Sequence, residues 1–250
     1  MTLTIDGRYN GPPGSGNGGY VAGRLAEELL AAGGVAAVGP DAPWVEVTLR
    51  SPPPLDRPMT VSVDDACDGL TAGDHDTLVA TARRLPTGPP GAELVDPVAL
   101  PVAEGVQATY LGLQAHPFPT CWVCGPSRPD HDGYDLRPGR LGDGRTGCVW
   151  TVQANVEGVE PSVPASAVWA ALDCPGAWTA LDGSTSLVLG RISAQVKAVP
   201  AVGDRCVVMG RLLGSDGRKT FTATTVYGSA VNGTVAEPLG TAVATWIAIG

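Results

Sequence analysis

Charge is scarce in this chain and lysine nearly absent. Asp, Glu, Lys and Arg together make up 16% of 250 residues, and only two of the 16 basic residues are lysine. With a formal net charge of −9 and no basic cluster, nothing in the sequence offers a nucleic-acid surface. Nor is there a general field to draw in an anion, so a phosphorylated ligand needs a local Arg. The preference for Arg over Lys reads as genome composition. No apolar run approaches the length of a membrane span. The stretch Met1-Thr-Leu-Thr-Ile-Asp6 has neither the basic start nor the apolar centre of a signal peptide, so the expected location is cytoplasmic. Six cysteines in a chain of this length are no disulfide scaffold, and in a reducing compartment most are expected as thiols. Gly-x-Ser-x-Gly and Walker patterns are missing, which removes support for serine-hydrolase and nucleotide readings.

What the chain does have is apolar content of 44%, with 34 Gly and 23 Pro: a globular protein with ample core and many turns. It also has an internal repeat. Pro52, Asp56-Arg57 and Asp68-Gly69 return as Pro200, Asp204-Arg205 and Asp216-Gly217 at one offset of 148 (200 − 52, 204 − 56, 216 − 68). Carried upstream, the offset lays a helical segment opening at Gly18-Gly19 over one opening at Ser166-Ala167. One supersecondary unit is therefore written twice, and chemistry is expected between the copies. Residues 1–85 form the first unit, 86–133 a Pro/Gly-rich linker and 134–250 the second unit.

In the first copy the spacing of Val21, Leu25, Glu28, Leu29 and Ala32 predicts a helix over Tyr20–Ala32, stopped by Gly33-Gly34. Trp44–Leu49, Met59–Asp65 and Asp76–Leu85 read as strands, with a turn at Asp68-Gly69. In the second copy Pro164–Leu181 reads as the helix. Leu187–Ala198, Arg205–Leu213, Lys219–Tyr227 and Gly240–Ile249 read as strands, preceded by Tyr134–Arg140 and Cys148–Val152. Val79-Ala-Thr81 matches Val243-Ala-Thr245 only at an offset of 164 (243 − 79), so the first copy is expected to lack one strand after its Asp-Gly turn. The linker is expected to pack over the surface.

A helix followed by an antiparallel sheet, twice over, resembles the hotdog fold. The segment Ala198-Val-Pro-Ala-Val-Gly-Asp204-Arg205, then a strand, an Asp-Gly turn, a strand and Gly-Thr-Ala-Val-Ala-Thr, is similar to the core of phenylacetate-pathway-type acyl-CoA thioesterases. The two-copy arrangement resembles the double-hotdog acyl-CoA thioesterases. The resemblance implies an α+β tandem hotdog with two long helices, each wrapped by an antiparallel sheet, the two sheets joined edge to edge as one. It also implies hydrolysis of an acyl-CoA or related acyl thioester without a cofactor, and it leaves homo-oligomerisation open. Hotdogs also serve as dehydratases or hydratases and as non-catalytic acyl-thioester binders. The dehydratase chemistry usually pairs Asp with His on the helix, and neither predicted helix contains His.

Within that resemblance, Asn17-Gly18-Gly19 matches the polar-Gly-Gly start of the helix. The first N–H groups of a helix lack internal partners and sit at its positive end, where they can hold an oxyanion. The same Asn17 can equally be a plain N-cap. Asp173, in Trp169-Ala-Ala-Leu-Asp173-Cys-Pro-Gly, matches the acid of the second helix; apolar neighbours should raise its pKa towards a useful base. It can equally accept backbone hydrogen bonds where Pro175 breaks the helix. Each copy holds what the other lacks: Leu25 stands opposite Asp173 in the repeat, and Ala165-Ser166-Ala167 opposite Asn17-Gly18-Gly19. One complete site is expected from the two halves. Glu27 and Glu28 are expected on a solvated face. Cys121-x-x-Cys124 with His116 and His131 offers four metal donors, but the spacing is not that of a standard finger, so no metal is expected. Cys67, Cys148, Cys174 and Cys206 read as core.

Overall fold

The computed structural model describes residues 1–129, 132–154, 163–183, 185–229 and 235–249. Strands β1 (Thr2–Thr4), β2 (Trp44–Leu49), β3 (Pro58–Val63), β4 (Gly69–Asp74) and β5 (Thr77–Leu85) come from the first half. Strands β6 (Gly139–Arg140), β7 (Thr146–Thr151), β8 (Ser186–Val196), β9 (Arg205–Asp216), β10 (Lys219–Ser229) and β11 (Val235–Ile249) come from the second. Helices are α1 (Gly18–Ala32), α2 (Leu100–Val106) and α3 (Ala165–Ala177).

The strands form one antiparallel sheet in the order β1-β3-β4-β5-β2-β8-β11-β10-β9-β7-β6. Read outward from the β2–β8 junction, the order is the same in both directions, with β2, β5, β4, β3, β1 answered by β8, β11, β10, β9, β7. The two units' sheets thus join edge to edge through β2 and β8, as the resemblance implies. The two principal helices, however, are only about four turns each. Nor is a strand missing from the first half: β4 starts immediately after Asp68. The lost residues shorten strands instead, β4 and β5 having 6 and 9 residues against 11 and 15 in β10 and β11. The turn before β4 is also not an Asp-Gly hairpin. Asp64 closes it by accepting the Asp68 N–H, and Cys67 takes the left-handed conformation.

α1 starts where Asn17 Oδ1 accepts the Tyr20 N–H at 2.9 Å, satisfying one of the orphan donors of the first turn. Its buried stripe includes Val21, Ala22, Leu25 and Leu29. All thirteen residues of α3 are buried, so it is apolar on every side apart from Ser166 and Asp173. Pro175 lies inside α3 and does not break it. Pro175 falls in the last turn, and the helix closes beyond it through the Trp178 N–H donating to Cys174 O.

The two helices run antiparallel and very close. A Cβ on Gly19 would lie 2.5 Å from Asp173 Cβ, and one on Gly23 would lie 2.6 Å from Ser166 Cα. Only glycine permits this approach, which the Gly19-x-x-x-Gly23 spacing aligns on one helical face. The linker does not lie over the surface as expected. Trp122 is fully buried, its ring packed against Tyr9, Tyr20 and Tyr134 with centroids 4.7, 5.4 and 4.4 Å away. Backbone bonds from Tyr134 to Trp122 O and from Leu136 to Val123 O extend this buried segment, and only Gly139–Arg140 of the strand expected over Tyr134–Arg140 forms, as β6.

Candidate active site

The close pairing of α1 and α3 brings together residues more than 150 positions apart. Asp173 Oδ2 accepts from the Gly19 backbone N–H at 3.0 Å and from Asn17 Nδ2 at 2.9 Å. Asn17 is thus both the N-cap of α1, through Oδ1, and a donor to the acid of α3. Asp173 is 3% exposed, and its other oxygen, Oδ1, accepts from no described residue. Burial pushes its pKa up to about 7, against the opposing pull of the Gly19 N–H.

Asn17, Gly18, Gly19 and Asp173 therefore meet in one place, but in unequal positions. The Gly19 N–H is occupied by Asp173. The Gly18 N–H donates to no described residue, and Gly18 lines a cavity of about 450 Å³. Gly18 sits at the positive end of α1, where a developing negative charge is stabilised. The cavity wall is largely apolar, with Leu49, Pro53, Phe118, Leu189 and Trp246 among its residues. Arg50 is exposed at the same cavity and makes no ion pair with a described carboxylate.

The linker closes the polar end. Cys121, Cys124 and His116 line the cavity together with Cys174, the residue after Asp173. The three sulfurs lie within 4.8 Å of one another. Hydrogen bonds from the Cys124 and Cys174 thiols hold Cys121 well below the usual thiol range. Of the four donors named from the sequence, His131 lies outside the described residues, and His116 approaches only Cys124, at 3.4 Å. The partner that sequence reasoning assigned to the core is Cys174; its place beside Asp173 on a buried helix was the one available signal.

The opposite helix end corrects another expectation. Glu27 is not a solvated surface acid. Its Oε1 accepts the Ser166 N–H at 2.7 Å at the start of α3, and burial raises its pKa. So each helix receives a carboxylate from the other near its N-terminus, Asp173 at Gly19 and Glu27 at Ser166.

This is the fold of the hotdog proteins. The chain superimposes over its whole length on a TesB protein of Mycobacterium avium subspecies paratuberculosis, at 14% identity, covering 92% of that chain with a TM-score of 0.63. A conserved protein of unknown function with a hot dog fold from Alicyclobacillus acidocaldarius is 11% identical over 100% of this chain and 92% of that one, TM-score 0.56. An acyl-CoA thioesterase II from Mycobacterium marinum is 9% identical over 92% and 90%, TM-score 0.55. At these identities the likeness establishes the fold alone. No protein-family model and no curated protein matches the chain. Among the described residues no helix is long and apolar enough to cross a membrane.

Proposed function

We propose that this chain is a double hotdog that hydrolyses an acyl thioester, with acyl-CoA as the substrate class, at the junction of α1 and α3. The observation that carries the reading is a buried carboxylate, Asp173, and Gly18 at a helix start, whose N–H has no partner among the described residues, together on the wall of an apolar cavity. An acyl chain fits the apolar wall. The thioester carbonyl takes the Gly18 N–H. Asp173 Oδ1, the unpartnered oxygen, accepts a proton from water as its oxygen adds to the carbonyl carbon. The oxyanion so formed is held by the Gly18 N–H and the start of α1. It then collapses, the carbon–sulfur bond breaks, and the proton on Asp173 goes to the departing thiolate. Asn17 and the Gly19 N–H keep the carboxylate aimed during these steps. Arg50 supplies the local cation that a phosphorylated carrier needs in a chain of net charge −9.

Thiol release from a panel of acyl-CoAs, with and without Asp173→Asn, tests the reading. Hydrolysis that depends on Asp173 supports it. Tight acyl-CoA binding with no thiol release from any member would replace it with the non-catalytic binder. The name of one neighbour, an acyl-CoA thioesterase II, agrees with a thioester substrate, at an identity that leaves the chemistry to this test.

A further inference from the structure

We propose that Cys121, Cys124 and Cys174 form a metal site of three thiolates for a thiophilic cation, zinc in the first instance, whose fourth position faces the cavity. The proposal does not depend on thioester hydrolysis.

The geometry is that of ligands already in place. With zinc–sulfur bonds of about 2.3 Å at tetrahedral angles, neighbouring sulfurs lie about 3.8 Å apart. The Cys121 and Cys174 sulfurs are 3.9 Å apart, and all three sulfurs fall within 4.8 Å of one another. Two come from one tight turn, Cys121-Trp-Val-Cys124-Gly125. That turn closes through the Gly125 N–H on Cys121 O at 2.8 Å, and only glycine fits there, because a Cβ would stand 2.5 Å from Cys121 N. The third comes from α3, so a metal would fasten the linker to the helix that carries Asp173.

Three buried thiols can also be ordinary core packing. The surroundings speak against that. Asn17 Nδ2 lies 3.9 Å from the Cys121 sulfur. A donor beside a sulfur favours the thiolate, which is the ligating form. His116 Nδ1 accepts the Phe118 N–H at 2.9 Å. That places the ring proton on Nε2, which donates to Cys124 at 3.4 Å. So His116 acts on the sulfur and not on the metal, as outer partners of metal ligands do. Three protein ligands with an open fourth position are the pattern of reactive rather than purely structural zinc. Sulfur donors exclude Mg2+ and Ca2+ and select zinc among common divalent ions. Asn17, donating to Asp173 Oδ2 and standing beside Cys121, separates the two anionic groups. The cavity provides the entry path.

The test uses the full chain, produced with zinc in the medium and purified under reducing conditions without chelator. Elemental analysis should find about one zinc per chain. Removal by chelator and refilling with Co2+ should give the charge-transfer absorption of thiolate ligation. Cys174→Ser should weaken zinc binding by more than about 100-fold, and His116→Gln by about 10- to 100-fold as an outer partner. Cys148→Ser, a buried thiol on β7 away from the cluster, should leave zinc content unchanged. If Cys174→Ser fails to fold, the wild-type Co2+ spectrum still decides. Wild-type protein that takes up neither zinc nor cobalt after full reduction overturns the proposal, as does zinc content that survives Cys174→Ser unchanged.

Discussion

Replacing Asp173 separates its chemistry from its structural role, because Asn and Ala make different changes. The Asp173 Oδ2 atom satisfies two buried donors, Gly19 N–H at 3.0 Å and Asn17 Nδ2 at 2.9 Å. In Asp173→Asn the amide oxygen can take that place and keep both bonds, so the fold should be as stable as the parent to within about 1 kcal/mol. In Asp173→Ala both donors lose their partner. At about 1–3 kcal/mol for each buried group left unpaired, the loss should reach about 2–6 kcal/mol. Turnover should respond differently. The amide cannot take a proton from water, so Asp173→Asn should lose at least about 100-fold in kcat, about 2.7 kcal/mol of transition-state stabilisation, with KM little changed. The assays are denaturant unfolding for both variants and thiol release from acyl-CoA for Asp173→Asn. Full turnover in a folded Asp173→Asn protein would refute the proposed role of the carboxylate. Equal stability of Asp173→Ala and the parent would refute the hydrogen-bond accounting.

Gly23→Ala should destabilise by about 1–3 kcal/mol or more in the same unfolding assay, since the new Cβ meets the Ser166 backbone at 2.6 Å and backbone cannot move aside cheaply. Glu27→Gln should keep the acceptor for the Ser166 N–H and leave both stability and turnover near the parent, whereas Glu27→Ala should lose about 1 kcal/mol of stability, the usual range for a helix-end acceptor. Arg50→Ala should raise KM for a CoA thioester about fivefold or more at low salt, an effect fading as salt rises, and should leave KM for a short thioester lacking the nucleotide unchanged. A KM shift of equal size for both substrates would remove Arg50 from phosphate recognition.

The parts legible in the sequence were those written by periodicity and by the constant offset. α1, α3 and the long strands of the second half follow local hydrophobic patterns, and the offset of 148 aligned the helix starting at Gly18 with the helix carrying Asp173. That alignment, together with the hotdog resemblance that places a site between the two units, is why Asn17, Gly19 and Asp173 could be expected near one another before any contact was known. What the pattern missed are features decided by tertiary packing. β4 reads Gly-Leu-Thr-Ala-Gly-Asp, too rich in glycine to look like a strand; its neighbours β3 and β5 hold it in place. Gly and Pro suggested a surface linker, whereas three tyrosines bury Trp122. Glu27 looked solvated because its partner is a backbone N–H, which no side-chain pattern shows. Cys174 looked like filler because the other two thiols stand 50 and 53 positions earlier (174 − 124, 174 − 121).

The clearance at Gly19 also says something about how such a molecule can change over time. A homodimer built from one such unit must use every substitution twice, so an acid placed against one helix start is repeated against the other. Here the copies share a chain and have parted ways. The position that must be vanishingly small to admit Asp173 is glycine in one half, and its repeat equivalent, Ala167, faces no such demand (19 + 148). Covalent duplication thus turned a symmetric constraint into two independent ones. Residues serving the single pocket and residues serving the opposite helix end are free to drift apart, as Asp173 and Leu25 already have.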